Sequence, residues 1–152
     1  SIGSKDVVIY NLHFPSNFND IQMRIESFDL LRNLLETHNQ PSIAIGDFNL
    51  SSKDDAKYNI YKGQQDIWYV SHLEGCEGCN GTHYYGYDKT WSFLDAIFIS
   101  KERGIEFDNE SIQLHKTEFN SYADSGKPIR FNAKAKKGVS DHFAVVAKIK
   151  LN

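Results

Sequence analysis

Residues 42–50 read Ser-Ile-Ala-Ile-Gly-Asp-Phe-Asn-Leu, a short apolar run that breaks into a polar turn. Bounded by Pro41 before it and Gly46-Asp47 after it, the run predicts a buried strand over Ser42–Gly46. Upstream, Ile21, Ile25, Phe28, Leu31 and Leu35 recur at spacings of three and four with charges between them. That period predicts a helix with one apolar stripe, capped by Asn19 or Asp20 and running to about His38. Before the helix, Asp6–Leu12 carries Val-Val-Ile-Tyr and reads as a buried strand, delivering Asn11 and His13 to its end before Pro15 stops it. Strand, helix and strand in succession predict a parallel or mixed sheet, and so an α/β fold with a mixed sheet and helices on one face.

Downstream the pattern is looser. Ser51–Gly63 is polar, with a short helix expected at Asp54–Tyr61, and Asp66–Leu73 reads as extended. Gly75–Gly86 holds four glycines and both cysteines, which predicts a loop. Thr90–Ser100 is the clearest later strand. Residues 104–107 and Ile112–Lys116 add strand, Asn120–Val139 is a loop rich in Lys, Asn, Gly and Ala, and Phe143–Leu151 alternates as a closing strand. No repeat, heptad array or linker divides the chain, so residues 1–152 are expected to form one domain.

Composition agrees. The 152 residues are 40% hydrophobic, 24% charged and 13% aromatic, within the range of a packed globular domain. Such a length buries about 68–70% of its unfolded surface without a staple. Seventeen Lys+Arg against twenty Asp+Glu give a net charge of −3, which provides no overall basic field for coating a polyanion. No run of about 18 apolar residues predicts a membrane span.

The strands run out into polar clusters: Asn11-Leu12-His13, Gly46-Asp47-Phe48-Asn49, Leu94-Asp95 and Ser140-Asp141-His142. Strand ends are where open α/β sheets bind ligands. Asp47, Asn49 and Asp141 offer hard oxygens suited to Mg²⁺, Mn²⁺ or Ca²⁺, while His13 and His142 offer donors for a phosphate oxygen. Asp95 lies in an apolar strand, where a carboxylate needs a partner; a histidine would have its imidazole pKa raised and its tautomer fixed by that pairing. The combination points to metal-assisted phosphoester cleavage.

With these residues in place, the sequence resembles the endonuclease/exonuclease/phosphatase superfamily, the deoxyribonuclease I-like metal-dependent phosphoesterases. The matching segments are Tyr-Asn-Leu-His-Phe at 10–14, the helix with Arg24 leading to Ile-Ala-Ile-Gly-Asp-Phe-Asn-Leu at 43–50, Thr-Trp-Ser-Phe-Leu-Asp-Ala-Ile-Phe-Ile-Ser at 90–100, and Gly-Val-Ser-Asp-His-Phe-Ala-Val at 138–145. They stand in the family's order and span almost the whole chain. The resemblance implies a nuclease-type hydrolase that cleaves phosphodiesters in nucleic acid by in-line attack of water. It implies that Asp47 orients or deprotonates that water, and that Asn49 fixes Asp47 and the phosphate. Asp141, with Asp47 and Asn49, holds the metal; His142, backed by Asp95, contacts the scissile phosphate; His13 binds phosphate or assists the leaving group. A phosphoinositide phosphatase or a sphingomyelinase shares the same core and stands as the alternative substrate class.

The family pattern also includes a first strand ending in Asn and a second bearing a metal-binding Glu, and both would lie upstream of Ser1. The chain is therefore expected to be the C-terminal part of a four-layered α/β sandwich, with weakened metal affinity. A non-catalytic half-domain that binds a partner is the reading from a different class. The uncovered sheet face calls for the missing N-terminal half or a second copy.

Three features lie outside that core. His72, Cys76, Cys79 and His83 form a His-x₃-Cys-x₂-Cys-x₃-His array that suits a Cys76–Cys79 disulfide, a tetrahedral zinc or two free thiols. The disulfide would favour an exported, secreted or periplasmic protein. Tyr84, Tyr85 and Tyr87, near Trp91 and Phe93, could stack on a base or sugar, and Lys127, Arg130, Lys134, Lys136 and Lys137 place five cations just before Ser140-Asp141-His142, where they could follow a phosphate backbone. Arg130, Lys134 and Tyr85 are the substrate-binding candidates among them.

Overall fold

The computed structural model describes residues 6–152. The strand–helix–strand unit forms as β1 (Val8–His13), α1 (Ile21–Glu36) and β2 (Ser42–Asp47), with β1 and β2 parallel. Asp20 caps α1, its carboxylate accepting from the Gln22 N–H at 2.9 Å. The helix stops at Glu36 rather than near His38. There the Thr37 N–H and hydroxyl both turn back to the Leu34 carbonyl, at 3.2 and 2.7 Å, and satisfy it in place of a further turn.

The chain continues as α2 (Ser52–Tyr58), α3 (Ile60–Gly63), β3 (Trp68–Val70), α4 (Ser71–Glu74), β4 (His83–Tyr85), β5 (Thr90–Ser92), β6 (Asp95–Ser100), β7 (Ile105–Leu114) and β8 (Val145–Leu151). The main sheet has the order β1-β2-β6-β3 and is mixed, since β6 runs antiparallel to both neighbours. The expected helix at Asp54–Tyr61 is two short helices, because Asn59 adopts a left-handed conformation (φ 53°) that ends the first and opens the second. The second half of Asp66–Leu73 coils into α4. The two segments expected at 104–107 and Ile112–Lys116 are one strand, β7, whose register slips between Asp108 and Gln113.

Thr90–Ser100, expected as one strand, is two strands in different sheets. β5 pairs with β4, whereas β6 joins the main sheet. The chain changes sheets at Phe93-Leu94, where the Leu94 carbonyl accepts from the Phe48 N–H at 2.7 Å and the Phe93 ring stacks on His72.

One face of the main sheet is closed by α1 and the helical segments that follow β2. An aromatic nucleus of Phe14, Phe28, Phe48, Tyr61, Trp68 and Phe98 lies there, with Leu31, Leu35, Ala44 and Val70 around it. On the opposite face Ile43 and Ile99 pack against Ile105, Phe107 and Ile112 of the β7–β8 hairpin. Gly46 locks β1 to β2: at φ +137°, a Cβ there would stand 1.9 Å from the Leu12 carbonyl oxygen. Only glycine permits that approach, and the register it preserves sets His13 beside Asp47.

Candidate active site

The sheet register assembles the site. His13 is the register partner of Asp47 across β1–β2, and Asp47 is the partner of Asp95 across β2–β6. The three residues lie side by side at one end of three adjacent strands. His142 joins them from a turn 47 residues after Asp95, its Nδ1 2.7 Å from the Asp95 carboxylate. Ligating atoms of Asp47, Asp95 and His142 all lie within 4.8 Å of one another.

Asp47 is partly buried, and desolvation raises its carboxyl pKa above the ordinary carboxylate range. The negative charge of Asp95 adds to the rise, while the Asn49 N–H, bound to Asp47 Oδ1 at 2.8 Å, opposes it together with His142 and His13. A carboxylate raised in this way is a stronger base toward water. For His142, burial acts to lower the pKa, but the hydrogen bond to Asp95 and the charges of Asp95, Asp47 and Asp141 outweigh it, so the imidazole is net raised. With Nδ1 held by Asp95, the ring's tautomer and orientation are fixed from that side.

Asn49 is buried, in the left-handed region at φ 50°, which asparagine tolerates. Its side-chain amide donates to the Phe14 carbonyl at 2.9 Å, tying the turn after β2 to the end of β1. Asn49 thus fixes Asp47 from the backbone while its amide nitrogen is occupied. His13 is largely exposed, with Nε2 3.8 Å from Asp47. Asp141 is half-exposed, 3.7 Å from the Arg130 guanidinium and outside the Asp47–Asp95–His142 cluster, and its charge helps to raise the His142 pKa. Lys134 is exposed in the 117–139 loop. Tyr85 is about half-exposed near Tyr87, and Lys127 sits over the Tyr84 ring at 3.9 Å.

Cys76 and Cys79 form a disulfide. That removes the two thiolates a zinc ion would need, and the two histidines of the array serve elsewhere. His83 lies against His142, ring centroids 4.8 Å apart. His72 stacks on Phe93 at 4.3 Å and meets Tyr61 edge-on.

Burial lowers the His72 pKa to about 4, and its Nδ1 has no hydrogen-bond partner among the described residues. An unfolded chain protonates this imidazole near 6.5, the native chain only near 4, so the unfolded state binds more protons between those values and stability falls as pH drops through them. The loss is about 3 kcal/mol at most. Urea unfolding at pH 7 and pH 4.5 measures it; His72→Leu is expected to flatten the difference.

Thr82 has no counterpart among the residues the sequence singled out, and His83, expected in a cysteine–histidine array, sits instead at this site. Thr82 is fully buried, its Oγ1 accepting from the Asp95 N–H at 3.1 Å and its carbonyl accepting from the Phe143 N–H at 2.8 Å. His83 forms an isolated antiparallel bridge with His142. Thr82 ends the glycine-rich loop and His83 opens β4, within a stretch whose local pattern signals only a turn.

The fold has counterparts among solved structures. A mannosyl-6-phosphatase of Bacteroides thetaiotaomicron is 22% identical, with a TM-score of 0.58, covering 93% of this chain and 50% of its own. An endonuclease/exonuclease/phosphatase family protein of the same organism gives 21% and 0.60 over 95% of this chain and 50% of its own, and one from Leptotrichia buccalis gives 20% and 0.59 over 98% and 50%. The chain has the endonuclease/exonuclease/phosphatase fold. It spans about half the length of each of these structures. No protein-family profile matches the sequence, and no curated protein sequence matches it.

Proposed function

We propose that the chain is the catalytic C-terminal portion of a divalent-metal-dependent phosphoesterase that hydrolyses phosphodiester bonds in nucleic acid. The observation that carries this reading is the convergence of Asp47, Asp95 and His142, from two strands and a distant turn, into one cluster within 4.8 Å. Such convergence is what phosphoryl chemistry requires of its base and its charge-stabilising donor.

Asp47, fixed by the Asn49 N–H, accepts the proton of the attacking water. His142, held by Asp95, presents Nε2 to a non-bridging phosphate oxygen and, as imidazolium, stabilises the charge that grows there. His13, on the neighbouring strand and open to solvent, is placed for the leaving oxygen. The carboxylates of Asp47 and Asp141 have the hard-oxygen chemistry that fits Mg²⁺, Mn²⁺ or Ca²⁺ and would hold the cation, with Asp95 already committed to His142. When bound, the cation polarises the phosphate and neutralises its charge.

A nucleic-acid substrate is favoured by the 117–139 loop, where Lys127, Arg130, Lys134, Lys136 and Lys137 outnumber Glu118 and Asp124 in a chain of net charge −3. Arg130 brings that basic loop to the edge of the site through Asp141. The likeness to a mannosyl-6-phosphatase favours a second reading, a sugar phosphomonoester. Exposed apolar side chains such as Ile9 on the edge strand β1 fit a surface covered in the whole protein by its other half or by a second copy.

The test is incubation with plasmid DNA, mannose 6-phosphate, a phosphoinositide and sphingomyelin in Mg²⁺, then in excess EDTA. The expected result is plasmid nicking that EDTA abolishes. Phosphate release from a monoester without nicking would overturn the nucleic-acid assignment, and hydrolysis indifferent to EDTA would overturn metal dependence.

A further inference from the structure

The Asp95–His142 pair straddles two separate sheets. Asp95 opens β6 of the main sheet, whereas the backbone around His142 rests on the small β4–β5 ribbon, through the His83–His142 bridge and the bond from Phe143 N–H to the Thr82 carbonyl. A 2.7 Å contact between side chains on two independent supports survives only if the supports are joined and the more mobile ring is held. Thr82 makes the joint. Its N–H binds the Ser92 carbonyl of β5 at 2.9 Å, its hydroxyl receives the Asp95 N–H of β6, and its carbonyl receives Phe143 N–H. Gly81 allows this closeness: at φ +151°, a Cβ there would meet the Ser92 backbone at 2.7 Å.

The ring of His142 has Asp95 on its Nδ1 edge, and the imidazole of His83 packs beside it, centroids 4.8 Å apart and planes inclined by 52°. We propose that His83 is a positioning residue for His142, its ring serving as a wall that keeps the His142 imidazole on Asp95 with Nε2 turned toward the substrate. The inference rests on the reading of His142 as the phosphate-facing group. His83 acts through ring packing rather than through either of its nitrogens. Burial, with the neighbouring His142, lowers its pKa.

The claim separates shape from hydrogen bonding, which makes His83→Phe and His83→Ala the informative variants. In the metal-free chain, the Nδ1–H of His142 should give a resolved downfield proton resonance in NMR, slow to exchange because Asp95 holds it. That resonance is expected in the natural chain and in His83→Phe, and is expected to disappear into exchange in His83→Ala while the amide spectrum stays folded. With bis(p-nitrophenyl) phosphate and Mg²⁺, His83→Ala should lose about 10²-fold in kcat with KM unchanged, and His83→Phe should keep most of the rate. A His142 resonance unaltered in His83→Ala overturns the proposal, as does a His83→Phe protein that is folded yet behaves like His83→Ala. If the natural chain turns over no phosphoester but the resonance follows this pattern, the positioning role stands and the phosphoesterase reading falls.

Discussion

Replacing His142 with alanine is expected to lower phosphodiester turnover by about 10²–10⁴-fold, the range for loss of a positioned acid–base or charge-stabilising group. The size of the effect follows from how completely the side chain is committed. Its Nδ1 is bound to Asp95 at 2.7 Å, its pKa is held up by three carboxylates against the pull of burial, and Nε2 is left for the substrate. No neighbour can take over, because His83 is held beside it by the strand bridge and His13 lies on β1, next to Asp47. The fold should be indifferent to the change. The turn that carries His142 is secured by the backbone bond from Phe143 to Thr82 and by the fully buried Phe143 ring, neither of which the substitution touches. Steady-state kinetics on a small phosphodiester, with a thermal melt of the same preparation, check both halves. Unchanged turnover at an unchanged melting temperature would remove His142 from the reaction.

Phe98→Ala is expected to cost about 3–5 kcal/mol of stability, the usual consequence of emptying a fully buried aromatic site. Phe98 stands at the centre of the nucleus: its ring stacks on Phe48 at 4.6 Å and lies about 6 Å from Phe28, Tyr61 and Trp68. The cavity would be lined by rings already packed against helices and sheet, so little of it can close. The damage should also reach the chemistry. Phe48 lies between Asp47 and Asn49 in sequence, and its slot under the turn is set by the stacking on Phe98. Urea denaturation gives the stability change directly; a loss below about 1 kcal/mol would mean that the aromatic nucleus is not the centre of the core.

The strand–helix–strand unit was legible because its signals are local. Ile21 to Leu35 repeat with the helical period, Asp20 caps, and Ile-Ala-Ile between Pro41 and Gly46 has no other good conformation than a buried strand. The pairing of Asp95 with a histidine was legible too, since a carboxylate in an apolar strand carries its own demand for a partner. The later boundaries were not. Thr90–Ser100 has one continuous pattern, yet the chain switches sheets at Phe93-Leu94 because of contacts to Phe48 and His72, which no local pattern records. Thr82 gave no signal for the same reason: its hydrogen bonds go to Ser92, Asp95 and Phe143, each distant in sequence. Cys76 and Cys79 were ambiguous because their spacing suits both a disulfide and a metal. The choice depended on where the chain carried His72 and His83, one against Phe93 and Tyr61, the other against His142.

Asp47, Asp141 and the Asp95–His142 pair are proposed to surround a single cation and phosphate site. Mn²⁺ titration of the ¹⁵N-labelled chain tests it most directly, since a paramagnetic ion broadens only the amides close to it. Selective loss of the Asp47, Asp95, Asp141 and His142 amide signals, reversed by EDTA, is the predicted result. Broadening centred on another part of the chain, with these four signals intact, would contradict it.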